Sequence, residues 1–541
     1  MKTLEVSFSS GKPAREMVIA ALLGLTLGIG GQTAVPAMAA DNTIVIARDV
    51  DFNTLDPSRS WCDSCQIYLT AAYEQLIRVG KDNETLEPRL ATSWEASADG
   101  LTYTFMLDPA AKFSDGSAVE SKDVKFSLER LKNLKEGASF FAEGIAGIDI
   151  PDAATVVITL NDPDPEFLGK VSAPYAAVMN SDVVVANGGD AGADAASKDT
   201  AEAWLLANSA GSGAFVLETY RPDDELRLVR NDSYWRAKPA PAAVVVREVQ
   251  DSVAQSQLLQ SGGADIAMQI DNDTAGTMNN DNVVIEYVPS YNFIYIALSP
   301  GAEANQVPLT PKVREALALA IDYEGILEFT TGGRADLIAA AIPNGFPGTK
   351  DLPLPKQDLE KAKALLSEAG HPDGFEIEAA YPEVNIYGVD LSTLMQKLQQ
   401  DLAKVNVKIT LQPITFPVWI ERVGSSGIPV TAVYFAPDYY GSGQYTGYFS
   451  MVPGARWYQR AGGDKVEGLA NERAVQLMKD VRTASTEDAV KIYAELGMEM
   501  IKDKVILPLV NPQLVLAYAK GVEGVRYAVC CNLPLEELSK K

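Results

Sequence analysis

From Phe293 onward the chain alternates apolar runs too uniform to expose either face with stretches whose apolar residues recur at helical spacing. A strand buried on both faces, here Phe293 to Leu298, suits a sheet covered by helices, so this region is expected to form an α/β lobe. Thr310-Pro311 starts a helix with a cap and a first-turn proline, and Val313, Leu317, Ala320 and Ile321 form its inner face. Leu359, Ala362, Leu365, Leu366 and Ala369 repeat the pattern and stop at Gly370. Leu391, Leu394, Met395, Leu398 and Leu402 make a third helix. Strands follow at Val407 to Leu411 and, after a helix around Trp419, at Val430 to Phe435. At 541 residues and 47% hydrophobic composition, one core would be overextended, and two or three lobes are expected.

The earlier part reads differently. Leu101, Tyr103, Phe105 and Leu107 alternate with polar neighbours as a half-buried strand, Ser121 is placed as the cap of a helix striped by Val124, Leu128 and Leu131, and Val156 to Leu160 is another strand. Tyr68 to Ile77 has helical spacing. The Gly, Ala and Asp-rich stretch from Asn187 to Thr200 lacks periodicity and is taken as a loop at a lobe boundary. Ile506 to Ala517, interrupted by Pro508 and Pro512, is expected to cross between lobes or run along an edge.

Lys2, Lys12 and Arg15 precede an apolar run, Met17 to Ile29, that is too short to span a bilayer and is followed by small residues. This is a secretory leader, with cleavage expected before Ala40 and Met38-Ala39-Ala40 as the alternative site. No cysteine stands at the cut to carry a lipid, so a protein free of an anchor outside the cytoplasmic membrane is expected, in the periplasm of a Gram-negative source. Four cysteines, Cys62, Cys65, Cys530 and Cys531, favour disulfides in that setting. Three pairings are open. A vicinal bridge is strained, which favours bridges from the 62/65 loop to the 530/531 segment, and a redox role for Cys62-Asp63-Ser64-Cys65 is disfavoured because the pair reads as loop.

Charge and composition remove several functions. With 72 acidic against 46 basic residues, the net charge of -26 opposes binding to nucleic acid or anionic lipid. The single histidine, His371, lies in Gly370-His371-Pro372-Asp373-Gly374 and reads as a turn residue, leaving no imidazole for a zinc site or a catalytic triad. There is no Gly-x-Ser-x-Gly elbow, phosphate-binding loop or His-Glu-x-x-His. Asp271-Asn272-Asp273 with Gly276 lacks the closing bidentate Glu of a calcium loop and reads as a polar turn. No metal or cofactor is expected. Paired carboxylates could still run a glycosidase, which keeps a secreted hydrolase as the remote alternative.

The concentration of aromatics after residue 419 carries the binding hypothesis. Trp419 is followed by Val433-Tyr434-Phe435-Ala436-Pro437-Asp438-Tyr439-Tyr440, then Tyr445, Tyr448, Phe449 and Arg456-Trp457-Tyr458. A carboxylate emerging at the end of a buried strand among rings and glycines could hold a ligand ammonium while the rings cover its apolar or sugar faces. The alternative is that the rings are core and Asp438 caps a turn.

Over nearly its whole mature length the chain resembles the large bacterial extracytoplasmic solute-binding proteins of ABC importers, family 5, which include dipeptide- and oligopeptide-binding proteins. The resemblance rests on Tyr73-Glu74-Gln75-Leu76-Ile77, Leu86 to Trp94, Asp99 to Phe105, Lys112-Phe113-Ser114-Asp115-Gly116 and Asp123 to Leu128. It continues at Gly211 to Phe215, Arg230 to Trp235, Val313 to Leu317 with Ala320-Ile321-Asp322, and Ala362 to Leu366. It implies a two-lobed, periplasmic binding protein-like α/β fold of the Venus-flytrap, cluster C type. Lobe one would comprise 40–80 and 186–285 with a return at 506–541, an extra subdomain 81–185, and lobe two 286–505, after the leader 1–39.

The resemblance also implies a monomeric, non-enzymatic receptor that closes by hinge motion on a peptide or other amino-bearing solute and delivers it to a permease in the cytoplasmic membrane. Asp438 falls on the ammonium-binding position of peptide binders, Phe435 on a pocket aromatic and Trp419 on another. Tyr439, Tyr440, Trp457 and Trp61 complete the aromatic set, and Arg456 is the candidate for a ligand carboxylate, with a surface salt bridge as its alternative. Gly441-Ser442 stands where Asp-Pro often follows, and more aromatics follow than the family pattern implies. An opine-type or oligosaccharide receptor of the same fold is therefore the closest alternative.

Overall fold

The computed structural model describes residues 42–279 and 281–541. The expected leader and its cleavage site lie outside the described residues. The first lobe is built on a seven-stranded sheet in the spatial order Val283–Val288, Leu514–Ala519, Ile266–Ala267, Thr43–Arg48, Ala243–Glu248, Glu225–Arg230, Phe215–Arg221. Thr43–Arg48 runs parallel to both of its neighbours, and the flanking strands are antiparallel. Helix Ser252–Ser261 packs on this sheet. The Asp251 side chain accepts from the Ala254 N–H to start it, and Gly262 at φ 77° ends it, a left-handed position suited to glycine.

A four-stranded antiparallel sheet, Ala91–Ala96, Thr102–Leu107, Thr155–Leu160 and Ile145–Asp152 in that order, lies within the 81–185 segment. Tyr103, Phe105 and Leu107 point inward as their alternation requires, and helix Ser121–Leu134 covers them with Val124, Leu128 and Leu131. The cap is Glu120 and not Ser121. Glu120 and Asp123 form a reciprocal capping box, which places Ser121 in the first turn. Arg130 from this helix is fully buried and paired with Asp56 and Asp199. The 187–200 stretch is thereby pinned by Asp199 and contains the short helix Ala195–Lys198.

The second lobe has a six-stranded sheet in the order Ala335–Leu337, Ile506–Pro512, Phe293–Leu298, Val430–Phe435, Phe375–Pro382, Val407–Ile414. Every residue of Phe293–Leu298 is buried, as its composition predicts. Helices Pro311–Ala320, Leu359–Glu368 and Leu391–Ala403 supply the apolar stripes that share one core with this sheet. Ile506–Pro512 belongs to this sheet, so the return to lobe one begins after Pro512 and not at 506. Pro508 is tolerated inside the sheet beside a register shift between Ile294 and Tyr295.

The two segments that cross between the lobes are neighbours on both sides. Val283–Val288 pairs with Leu514–Ala519 in one sheet, and Phe293–Leu298 pairs with Ile506–Pro512 in the other. Between the sheets Asn511 Nδ2 donates to the carbonyls of Ser290 (2.8 Å) and Asn292 (2.6 Å), and Ser290 Oγ donates to Pro512 O (2.9 Å). Among the described residues no helix is long and apolar enough to cross a membrane.

Candidate functional site at the seam between the lobes

Strand Val430–Phe435 ends where Pro437 cannot donate to a ladder, and the chain turns through Asp438 before helix Gly443–Phe449. Gln444 fixes this turn: its Oε1 accepts from the Asp438 N–H at 2.9 Å, and its Nε2 donates to Gly441 O at 3.0 Å. The Asp438 carboxylate therefore faces the first lobe, where it is 4% exposed and accepts from Gln66 Nε2 at 2.9 Å. Gln66 lies on helix Asp63–Ala72.

Burial pushes the Asp438 pKa up to about 7, and nearby Asp63 adds to this. Hydrogen bonds from Gln66, Trp61 and Tyr175 pull the other way. Among the described residues no Lys or Arg lies within 4.0 Å of it, so its charge has no protein counterion. The neighbouring buried carboxylates differ. Asp63 pairs with Arg48 at 2.9 Å, and Asp56 and Asp199 share Arg130. Two further acceptors near Asp438 are incomplete: Gln66 Oε1 and the Tyr445 hydroxyl are buried without a hydrogen-bond partner. A buried carboxylate beside an orphaned amide oxygen is suited to a ligand that brings several N–H donors and a positive charge.

The other expected residues divide by position. Tyr439 crosses the seam, its hydroxyl donating to Glu166 Oε2 at 2.7 Å, and the Gly443 N–H reaches the same carboxylate. Burial raises the Glu166 pKa against the pull of those donors. A side chain at Gly441 would run into Tyr439 and Glu166, and one at Gly443 into Glu166, so this turn closes on the Glu166 carboxylate only with glycine at both positions. Trp61, half-buried, meets Phe140 and Tyr448 edge-on at 5.7 and 5.6 Å and so touches both lobes. Phe435 packs on Tyr448 and Phe449 at 4.9 and 5.1 Å, and the Tyr440 hydroxyl donates to Gly345 O at 3.0 Å beside Phe346.

Three expectations need revision. Trp457 is wholly buried, with its indole N–H on the Tyr295 hydroxyl at 3.0 Å, so it is core and presents no face to a solute. Trp419 is likewise interior: its indole N–H donates to Thr431 Oγ1 at 2.8 Å and its ring stacks on Phe416. Arg456 is exposed and, among the described residues, has no carboxylate within 4.0 Å, so the surface salt bridge given as its alternative is not formed. Residues that sequence reasoning missed are Gln66, Tyr175, Glu166 and Tyr387, with Tyr434 named only within the aromatic run. The last two extend the seam, their hydroxyls reaching Asp63 and Asp51 at 3.4 Å.

The cysteines also depart from expectation. Cys62 is bonded to Cys65, and Cys530 and Cys531 are free. Cys62 is not in a loop before a helix but is itself the cap of Asp63–Ala72, and this first turn sets the two Cα atoms 5.1 Å apart, within bridging range.

Residues 85–455 match the family described as Bacterial extracellular solute-binding proteins, family 5 Middle. A probable D,D-dipeptide-binding periplasmic protein, DdpA of Escherichia coli K12, is 28% identical over 492 residues, covering 87% of this chain and 92% of its own. A dipeptide-binding protein from Pseudoalteromonas sp. SM9913, solved with Met-Leu, superposes with a TM-score of 0.81 at 19% identity over 92% of this chain and all of its own. AgaA from A. tumefacien R10, solved with agropinic acid, gives 0.76 at 22% identity over 92% and 99%. The two-lobed binding-protein fold is thus shared, and the hydrolase alternative falls. The chain belongs to the family 5 extracellular solute-binding proteins and acts as a receptor without catalysis.

Proposed function

We propose that this receptor captures a small amino-bearing solute, a short peptide or an opine, between its lobes outside the cytoplasmic membrane, and presents it to an ABC permease. The observation that carries the reading is Asp438, a buried carboxylate with no counterion among the described residues, next to the unpartnered Gln66 Oε1. A ligand ammonium would donate to both while supplying the missing charge. Trp61 and Tyr175, from lobe one, and Phe435, from lobe two, flank that position. Because Asp438 and Gln66 come from opposite lobes, a ligand held by both stabilises only the closed arrangement, which is what drives closure. The similarity to a dipeptide receptor and to an opine receptor supports the amino-bearing class, and the export leader read in the sequence supports a periplasmic setting.

The test is calorimetry over a panel of dipeptides, longer peptides and opines, each beside its N-acetylated counterpart. Free amines should bind and their acetylated forms should not. Equal binding of both, or preferential binding of neutral oligosaccharides, refutes the ammonium assignment.

A further inference from the structure

The vicinal pair Cys530-Cys531 occupies a place that the binding function does not explain. Tyr527 and Val529 are buried in the cores of the second lobe, whereas Leu533, Leu535 and Leu538 are buried in the core of the first. Val522 and Val525 also pack on the first-lobe core, so the two thiols sit on a loop that leaves lobe one, reaches across the seam to the second lobe and returns. The loop ends in a tight turn, with the Asn532 N–H donating to Ala528 O at 2.8 Å and Asn532 held at φ 56°. The Asn532 side chain ties both lobes together, donating to Asp63 on one side and accepting from Asn292 Nδ2 at 3.0 Å on the other.

Within this turn the two Sγ atoms are 2.8 Å apart, already closer than unbonded sulfurs normally approach. Cys530 is partly exposed and Cys531 is buried. The hydrogen bond from Cys531 lowers the Cys530 pKa, Arg526 contributes in the same direction, and burial opposes both. Cys530 is thus the reachable and more nucleophilic sulfur, and Cys531 the resolving one.

We infer that Cys530 and Cys531 form a reversible dithiol–disulfide couple, a redox modification site on the loop that packs across the seam between the lobes. The oxidant is a disulfide, either a small-molecule one or that of a thiol oxidoreductase. The Cys530 thiolate attacks one of its sulfurs and expels the other as a thiolate. The Cys531 sulfur then attacks Cys530 Sγ and releases the second thiol, so the two hydrogens of the protein thiols end on the two thiols of the reduced oxidant. Adjacent Cα atoms are about 3.8 Å apart across a trans peptide, below the usual disulfide span of about 4.4–6.8 Å, so the ring is strained and readily reduced again. Closing that ring reorients the peptide between Cys530 and Cys531, one residue before Asn532, and so loosens the links of Asn532 to Asp63 and Asn292.

The test uses the full mature protein equilibrated in graded mixtures of reduced and oxidised glutathione, followed by acid quench, alkylation and peptide mass spectrometry. The expected result is a peptide containing Cys530 and Cys531 that loses two hydrogens under oxidising conditions and recovers both thiols at a lower reductant level than opens Cys62–Cys65. Amide exchange across residues 528–538 should be several-fold faster in the oxidised form. A pair that stays dithiol in the most oxidising mixture, or that bridges to Cys62 or Cys65, overturns the inference, and unchanged exchange overturns the loosening of the turn. In a Cys531→Ser variant, Cys530 should accumulate a glutathione adduct, whereas in Cys530→Ser the buried Cys531 should remain unmodified. The reverse pattern overturns the assignment of the entry thiol. The wild-type titration stands even where a variant fails to fold.

Discussion

Ligand affinity should carry the titration of Asp438. In the seam without ligand its pKa stands at about 7, and an ammonium at hydrogen-bond distance would draw it well below that. In the shut arrangement the unliganded seam holds a proton below about pH 7, and that proton must leave for the ligand to bind. For a receptor that rests shut, affinity should fall about tenfold per unit between about pH 7 and about pH 5, a total loss of up to about 2.7 kcal/mol at roughly 1.36 kcal/mol per unit. The free protein responds in the opposite sense. A carboxyl whose folded pKa is raised contributes stability fully below the ordinary carboxylate range and loses it as pH rises through about 7.

The assay is calorimetry of one binding-competent dipeptide across that range, repeated at about pH 6 in buffers of different ionisation enthalpy. Proton release approaching one per ligand is expected, and Asp438→Asn should abolish both the release and the slope while weakening binding at neutral pH by about 1.5 to 3 kcal/mol. Glu248 and Asp503, with pKa values of about 7 and about 6, also titrate in this range but have their partners elsewhere, at Val50 and Asn471, so the Asn variant isolates the seam. A flat profile in the wild type, or a slope that survives in Asp438→Asn, refutes the reasoning.

Removing a second seam carboxylate by Glu166→Ala strands the Tyr439 hydroxyl and the Gly443 N–H, and should weaken binding of any ligand by about 1.5–3 kcal/mol in calorimetry. Gly443→Ala should have a similar effect by a different route, since its methyl would displace Glu166, and combining the two substitutions should give less than additive loss. Arg130→Ala leaves Asp56 and Asp199 buried without a cation and should cost about 3–5 kcal/mol of stability in urea titrations, where a loss under about 1 kcal/mol would contradict the pairing. Trp457→Ala should cost about 3–5 kcal/mol of stability through the cavity it leaves, and a variant with normal melting and lost binding would return Trp457 to the site.

The second lobe was legible because its central strands are buried on both faces and its helices carry apolar stripes between standard end signals. Thr310 caps as its side chain predicts, and Val430–Phe435 has the expected bounds. The start of Asp63–Ala72 was not legible. Asp63, Ser64 and Gln66 are buried against Arg48, Asp51 and Asp438 from distant parts of the chain, so its inward surface is polar and carries no apolar period. The seam was missed for the same reason: a Gln or Glu that matters by meeting a partner 372 or 273 residues away looks like any surface residue in a sequence. Aromatic density pointed to the segment where Asp438 meets the first lobe and blurred its detail, because Trp419 and Trp457 share composition with Trp61 but lie in the interior. The extent of the Ile506–Pro512 strand was hidden by its prolines, of which Pro508 lies at a bulge inside the sheet and Pro512 at the strand's end.

The paired ribbon joining the sheets, stapled by Asn511 and Ser290, governs how the jaws can travel. Two chains bonded side by side flex across their flat face far more easily than they shear or twist, so the swing is confined to one arc with one end point. Every cargo is then gauged against a single shut contour. Differences in cargo size must be absorbed by rotamers and trapped water, and a molecule too bulky for that contour is rejected because the arc cannot be completed.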